Sequence, residues 1–221
     1  MAVDIEKYQE VCSFADDAGV TLVAVSKFKS VDDIQDLYNL GHRDFGENYV
    51  QELTGKTDSL PADIRWHFIG HLQTNKVKQI APFVHLIQSV DSLKLYTEIN
   101  KQAEKNNREI GILLQVHISG EDSKEGIDPG ELPAFVKSLI AQNFKNVFVR
   151  GLMGLASFTG DQATIKSQFQ RLRELFLQTK SLLNSPEQFS ILSMGMSGDY
   201  HLAVSEGSTM IRIGNLLFGA R

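Results

Sequence analysis

From one end of the chain to the other, short apolar runs rich in β-branched residues alternate with longer stretches whose apolar residues recur every three or four positions. The short runs read as strands. They are Thr21–Lys27, Asp44–Glu47, Arg65–Ile69, His85–Ser89, Gly111–Ile118, Asn146–Met153, Phe189–Met194 and Met210–Phe218, eight in all. Between them VDDIQDLYNLG, SLKLYTEINKQAEKNN, ELPAFVKSLIAQ and TIKSQFQRLRELFLQTKSLL carry helical spacing. Such alternation marks parallel βα units, and eight of them close most simply into an α/β fold, a single (β/α)8 TIM-type barrel over residues 1–221. The chain stops just after the eighth strand, so the N-terminal helix is expected to fill the remaining gap. An open doubly wound sheet would want a glycine-rich first turn, and SKFKS after the first strand holds no glycine.

Composition narrows the setting more than the chemistry. The chain is 42% hydrophobic and 22% charged, ordinary for a soluble globular protein with a sizeable core. Net charge is −5 and the one basic block is the short KVK of Lys76–Lys78, so nothing electrostatic points to nucleic acid or an anionic membrane. The start, MAVDIEKYQE, has acidic residues where a signal peptide needs a basic region, and no apolar run approaches a membrane span. The single Cys12, in an amphipathic helix pattern, can form no intrachain disulfide, which suits a reducing compartment. A cytoplasmic protein is expected.

In a barrel, chemistry gathers at the carboxyl ends of the strands. The first such end, LVAVSKFKS, raises a question: with a period of two, Val23, Val25 and Lys27 point the same way, toward the buried side. A buried, unpaired lysine loses its proton more easily, and the neutral amine attacks carbonyls. Alternatively Lys27 has already left the strand and reaches for water. After the seventh strand, SMGMSGDYHLAVSEG offers a helix start with Ser197 as N-cap and hydroxyl donor and Gly198 as a point of close approach. Asp199 is expected to point away and to offset the helix dipole. In the eighth strand Arg212 needs a buried acceptor, which a structural ion pair or a ligand would supply equally well, with Gly214 two positions on. A reactive lysine facing a phosphate cradle is what an aldehyde-bearing phosphorylated cofactor requires, and pyridoxal phosphate fits. His67 and His71 lie four apart across a strand end without a thiol or clustered carboxylates, so no metal site is expected. Met153 reads as soft packing, and Lys124 as part of a solvated turn.

The segments AVSKF, FGENYVQE, WHFIGHLQTNK, ISGEDSKEGI, GLMGLA and SMGMSGD…EGSTMIRIGNLLFGAR, in this order from about Val20 to Arg221, resemble the YggS/PROSC family of pyridoxal phosphate homeostasis proteins. That resemblance implies an alanine racemase N-terminal-domain-like barrel (fold type III) with pyridoxal 5′-phosphate in Schiff-base linkage to Lys27. It implies phosphate binding by Ser197, Gly198 and Gly214, Arg212 at the phosphate or the pyridine nitrogen, and Asn48, Ile69, His71 and Met153 lining the ring. His117 stands where the family more often has asparagine. The implied function is intracellular homeostasis of the cofactor, its storage or delivery to apo-enzymes, without catalytic residues or turnover. The alternative is a racemase-like enzyme. Racemisation, however, needs a base on each face, and Lys27 serves only one. Racemases bring a tyrosine from a second domain, and none is expected within these 221 residues. Of the five tyrosines only Tyr49 and Tyr200 lie near predicted strand ends. A cationic Arg212 beside the ring nitrogen would also weaken the electron sink. Without the racemase's second domain and its dimer contact, a monomer is expected.

Overall fold

The computed structural model describes residues 3–119, 125–183 and 185–219. Lys124 lies outside the described residues. Eight parallel strands close a barrel in chain order: β1 (Thr21–Val25), β2 (Asp44–Glu47), β3 (Arg65–Phe68), β4 (Leu86–Val90), β5 (Ile110–Val116), β6 (Val147–Gly154), β7 (Ile191–Ser193) and β8 (Met210–Ile213). Closure is made by β1 against β8, with Val23 opposite Arg212 and Ala24 opposite Ile213. Around them run α1 (Ile5–Asp17), α2 (Val31–Asn39), α3 (Val50–Thr57), α4 (Val77–Ile80), α5 (Leu93–Lys105), α6 (Leu132–Gln142), α7 (Gln162–Lys180), α8 (Tyr200–Ser205) and α9 (Asn215–Phe218).

Local chemistry explains where these elements start. Ser30 opens α2 with a capping box: its Oγ accepts from Asp33 N at 3.1 Å while the Asp33 carboxylate accepts from Ser30 N at 3.0 Å. Asp4 caps α1 through Lys7 N, and its own N–H donates to Leu217 O at 2.9 Å. The first helix thus packs on β1 and on α9, as the expected closing element does. Along β1 the period of two sorts the core: Leu22 and Ala24 join the layer between strands and helices, whereas Val23 joins Leu86, Leu113, Met153 and Met210 inside the barrel.

Five strands end earlier than their runs in the sequence, β3 and β7 by one residue and β5 by two, and the early ends of β1 and β8 bear on the site. β1 stops at Val25 and not at Lys27: Ser26 N still donates to Gly46 O at 3.0 Å, but Lys29 N then turns back onto Ser26 O and Phe28 takes φ +63°. β8 stops at Ile213 and not at Phe218. The amides of Leu217 and Phe218 return to Gly214 O at 3.0 and 3.1 Å, so NLLF is a helical turn whose hydrophobicity serves packing.

Strands β5 and β6 shift register by one residue beyond Ile112, and Gly151 comes to lie opposite Leu113. There a Cβ would sit 1.6 Å from Ile191 O on the neighbouring strand. Gly151→Ala is therefore expected to cost about 3 kcal/mol or more, read as a lower midpoint in urea unfolding; a midpoint unchanged from wild type would refute the contact.

Candidate functional site

A cavity of about 290 Å³ opens at the carboxyl end of the barrel. Lys27, Ser197, Gly198, Arg212 and Gly214 all line it, with Met196, Asp199 and the loop after β6. Two larger hollows, of about 910 and 660 Å³, adjoin the amino ends of the strands around Thr21, Asp44 and Arg65. Size alone would favour these, but the functional face of a barrel is the other one.

Lys27 is half-buried. It reaches the wall from a turn just past β1 and not from the strand itself, so its environment lies between the two readings that the alternation left open. Across the mouth, the chain after β7 bends at Gly195, whose φ is +98° and where a Cβ would stand 2.6 Å from Ala203 Cβ. Ser197 and Gly198 are carried on the following turn. The residue that precedes α8 is Asp199, not Ser197, because the helix begins at Tyr200. The Asp199 carboxylate accepts from Met196 N at 2.6 Å and so folds onto its own turn. Burial pushes that carboxyl up, with the Met196 amide and the Arg212 charge pulling the other way.

Arg212 is 4% exposed. Its Nη1 donates to Ser193 Oγ and its Nη2 to Gly154 O at 3.0 Å. Burial lowers its pKa to about 10, opposed by Asp199, which leaves it a cation at neutral pH. From Ser193 a line of polar side chains crosses the barrel interior. Ser193 Oγ donates to Gln88 Oε1 at 2.7 Å, Gln88 Nε2 meets His67 Nδ1 at 3.1 Å, and His67 Nε2 meets Asp44 Oδ1 at 3.0 Å. Arg65 closes the line with two bonds to the Asp44 carboxylate. An amide donor on Nδ1 leaves the His67 proton on Nε2, aimed at Asp44. Burial works to raise the Asp44 carboxyl, but Arg65 and His67 outweigh it and hold the group well below the usual carboxylate range.

The other expected ring contacts lie apart from this cavity. Asn48 and Ile69 follow β2 and β3; Asn48 Oδ1 is buried without a hydrogen-bond partner, and Ile69 Cδ1 would lie 3.2 Å from a Cβ at Gly46. His71 is exposed, and Met153 is 1% exposed within the barrel core. His117 lines an adjoining hollow of about 370 Å³ that shares Ala156, Phe158 and Met196 with the first. Missing from the sequence reading were Ser193 and Gln88, and His67 was considered there only as a metal ligand. Their signal was a polar residue set among the apolar positions of β3, β4 and β7, RWHF, LIQSV and ILS. Among the described residues no group of three or more His, Cys, Asp or Glu is placed to hold a metal, and no helix is long and apolar enough to cross a membrane.

A family model described as the alanine racemase N-terminal domain matches residues 5–221. The pyridoxal phosphate homeostasis protein of Pseudomonas aeruginosa is 42% identical over 208 residues, covering 93% of this chain and 86% of that one. PipY, the COG0325 family member of Synechococcus elongatus PCC7942, is similar both without PLP (TM-score 0.89, 35% identity, 97% and 99% of the two chains) and with PLP bound (TM-score 0.85, 33% identity, 96% and 100%). Alanine racemase from Streptomyces lavendulae shares the fold at 15% identity, with a TM-score of 0.74 over 91% of this chain and 53% of that one.

The polar line makes a pH prediction. A carboxyl held down in the folded state adds stability above its unfolded value of about 4, and that stability is lost as pH falls through and below it. Wild type is expected to lose about 2 kcal/mol between about pH 5 and pH 2 that Asp44→Asn does not lose. Urea unfolding at stepped pH checks this; parallel curves for the two proteins would refute it.

Proposed function

Because this chain belongs to the family of pyridoxal phosphate homeostasis proteins, built on the alanine racemase N-terminal-domain barrel, we propose that it binds pyridoxal 5′-phosphate at the Lys27 cavity and stores or hands on the cofactor without turning over amino acids. One observation carries this: an amine, a buried cation, a hydroxyl and two glycine backbones converge on one cavity at the functional end of the barrel. The donor set suits the cofactor group by group. When bound, the cofactor supplies an aldehyde that condenses with a neutral primary amine and releases water. Lys27 offers that amine. Ser197 Oγ and the backbone at Gly198 and Gly214 offer uncharged donors to a phosphate. An added Cβ at Gly198 would meet nothing within 4 Å, so its backbone stands open to a ligand, whereas one at Gly214 would crowd Val25 O at 3.2 Å, which favours glycine there on packing grounds.

Arg212 we assign to the ring nitrogen. It is the most buried of the set, and its two acceptors fix it before any ligand arrives. Asn48, Ile69, His71 and Met153 would complete the surroundings of the ring from the β2, β3 and β6 side of the mouth. The same arginine argues for holding over catalysis, because a fixed cation opposes protonation of the ring and weakens it as an electron sink. Among the described residues Lys27 is the only lysine on the cavity wall, so none of these supplies a second amine base for the other face of a substrate. Met196 and Phe158 stand exposed at the rim, which leaves the mouth open to water. We place the protein in the cytoplasm as a single chain, with apo-enzymes that need the cofactor as recipients; the lone Cys12 suits a reducing compartment.

Borohydride reduction of the loaded protein is expected to leave the pyridoxyl mass on the tryptic peptide containing Lys27, and Lys27→Ala is expected to take up none; label on another lysine would move the site. Incubated with a panel of L- and D-amino acids, the loaded protein is expected to show no racemisation, decarboxylation or transamination, while an added apo-enzyme gains activity. Lys27-dependent turnover on the order of 1 s⁻¹ or faster would make it an enzyme.

A further inference from the structure

The turn that carries Lys27 is tied down by a buried ion cluster with no assigned role. Ser26 through Lys29 form a tight turn, Lys29 N donating to Ser26 O at 3.0 Å. Its third residue, Phe28, has φ +63°. Such turns give that place to glycine, and a bulky side chain stays there only where its surroundings hold it.

The holding groups come from β2 and α3. Lys56, 6% exposed, donates from Nζ to Ser26 O at 2.9 Å, to Glu47 Oε1 at 2.7 Å and to Glu52 Oε1 at 2.6 Å. Glu52 Oε1 in turn accepts from Phe28 N at 2.5 Å, and Glu47 Oε1 from Ser26 Oγ at 2.6 Å. The backbone on each side of Lys27 is therefore bound within one linked cluster, the Ser26 carbonyl by Lys56 and the Phe28 amide by Glu52, while Glu47 holds the Ser26 hydroxyl and Lys56. Glu47 is fully buried and its Oε2 has no partner. Taking two carboxylates and an ammonium out of water is costly, and packing alone would be served as well by apolar side chains.

We propose that Lys56 is a positioning residue for Lys27: with Glu47 and Glu52 it clamps the Ser26–Phe28 turn in its left-handed form, keeps the amine on the cavity wall, and so sets how fast Lys27 links to the cofactor. The inference rests on the reading that Lys27 carries pyridoxal phosphate. It separates positioning from affinity, because none of the three clamp residues lines the cavity.

The test mixes apo-protein with pyridoxal phosphate and follows the Schiff-base absorbance in a stopped-flow instrument. In parallel, calorimetry measures affinity for pyridoxine phosphate, which carries an alcohol in place of the aldehyde and cannot form the link. Lys56→Gln is expected to slow link formation about tenfold to a hundredfold while pyridoxine phosphate affinity stays within about threefold of wild type. Adding Phe28→Gly to Lys56→Gln is expected to recover part of the rate, since glycine adopts this φ freely. A wild-type rate in Lys56→Gln, or a rate and an affinity that fall together, overturns the clamp. Should Lys56→Gln fail to fold, Glu52→Ala decides: it removes the Phe28 amide's acceptor from a more exposed position, and it must slow the link without changing pyridoxine phosphate affinity. Absence of any link at Lys27 in wild type overturns the cofactor reading and the clamp together, whereas a normal wild-type link with unaffected variants overturns the clamp alone.

Discussion

A guanidinium buried in the wall of a barrel constrains everything polar around it. Arg212 lies on β8, where apolar neighbours on both sides leave it almost no water. Every donor it keeps must find an acceptor inside the protein, because an unmet buried charge costs far more than a missing packing contact. Gly154 O and Ser193 Oγ meet two of those donors. Once Ser193 accepts from the arginine, its own proton must go elsewhere, and it goes to Gln88. The Gln88 amide then presents its nitrogen to His67, and His67 its proton to Asp44. Each orientation follows from the one before, so the line is polarised from a cation at one end to a carboxylate at the other. The barrel interior is thus partly polar, with Val23, Leu86, Leu113, Met153 and Met210 filling what the line leaves.

Barrel closure is what makes this a site. Lys27 follows β1 and Arg212 lies on β8, far apart along the chain but on adjacent strands, with Val23 directly opposite Arg212. The amine and the cation therefore meet only when the last strand pairs with the first. α1 packs on β1 and α9 at the same closure, which ties the stability of the fold to the geometry of the cavity. A substitution that loosens the β1–β8 pairing would separate the amine from the cation before it unfolded the barrel.

The alternation of apolar runs and helical spacing was enough to read the barrel, since each of the eight strands lies within or across a predicted run. Errors fell where hydrophobicity and conformation part company. NLLF is apolar enough for a strand, but Gly214 starts a helical turn and the leucines pack from there. Val23, Val25 and Lys27 keep the parity of a strand in the sequence, yet Phe28 turns the chain, and a positive φ on an aromatic residue has no sequence signal. Ser197 was read as the N-cap, but Asp199, as good a cap by residue type, takes that place because α8 begins only at Tyr200. Lys27, Ser197, Gly198, Arg212 and Gly214 were legible as a group because they occupy strand ends. The line from Ser193 to Asp44 was not, because its members are scattered along four strands and meet only in the closed barrel. Lys56 looks like any lysine on a helix flank until Glu47, fully buried one strand away, gives it a reason to point inward.

A fixed cation and an open mouth argue together about what the proposed site does well. An enzyme that makes a carbanion needs the ring to accept charge, which a cation fixed against the ring nitrogen disfavours, and it needs water kept out. A protein that holds a reactive aldehyde needs the reverse: a ring left electronically quiet, and water at hand so that the link to lysine stays reversible. On the proposed reading, retention divides between contacts to the phosphate, which would set how tightly the whole cofactor is kept, and the position of one amine, which would set how much of it is covalently held. The first would fall to the turn after β7 and to Gly214 at the end of β8, the second to the turn after the adjacent β1. With the first built from backbone and a hydroxyl and the second resting on the ion cluster around Lys56, each could vary without the other, and exchange could be tuned without rebuilding the phosphate site.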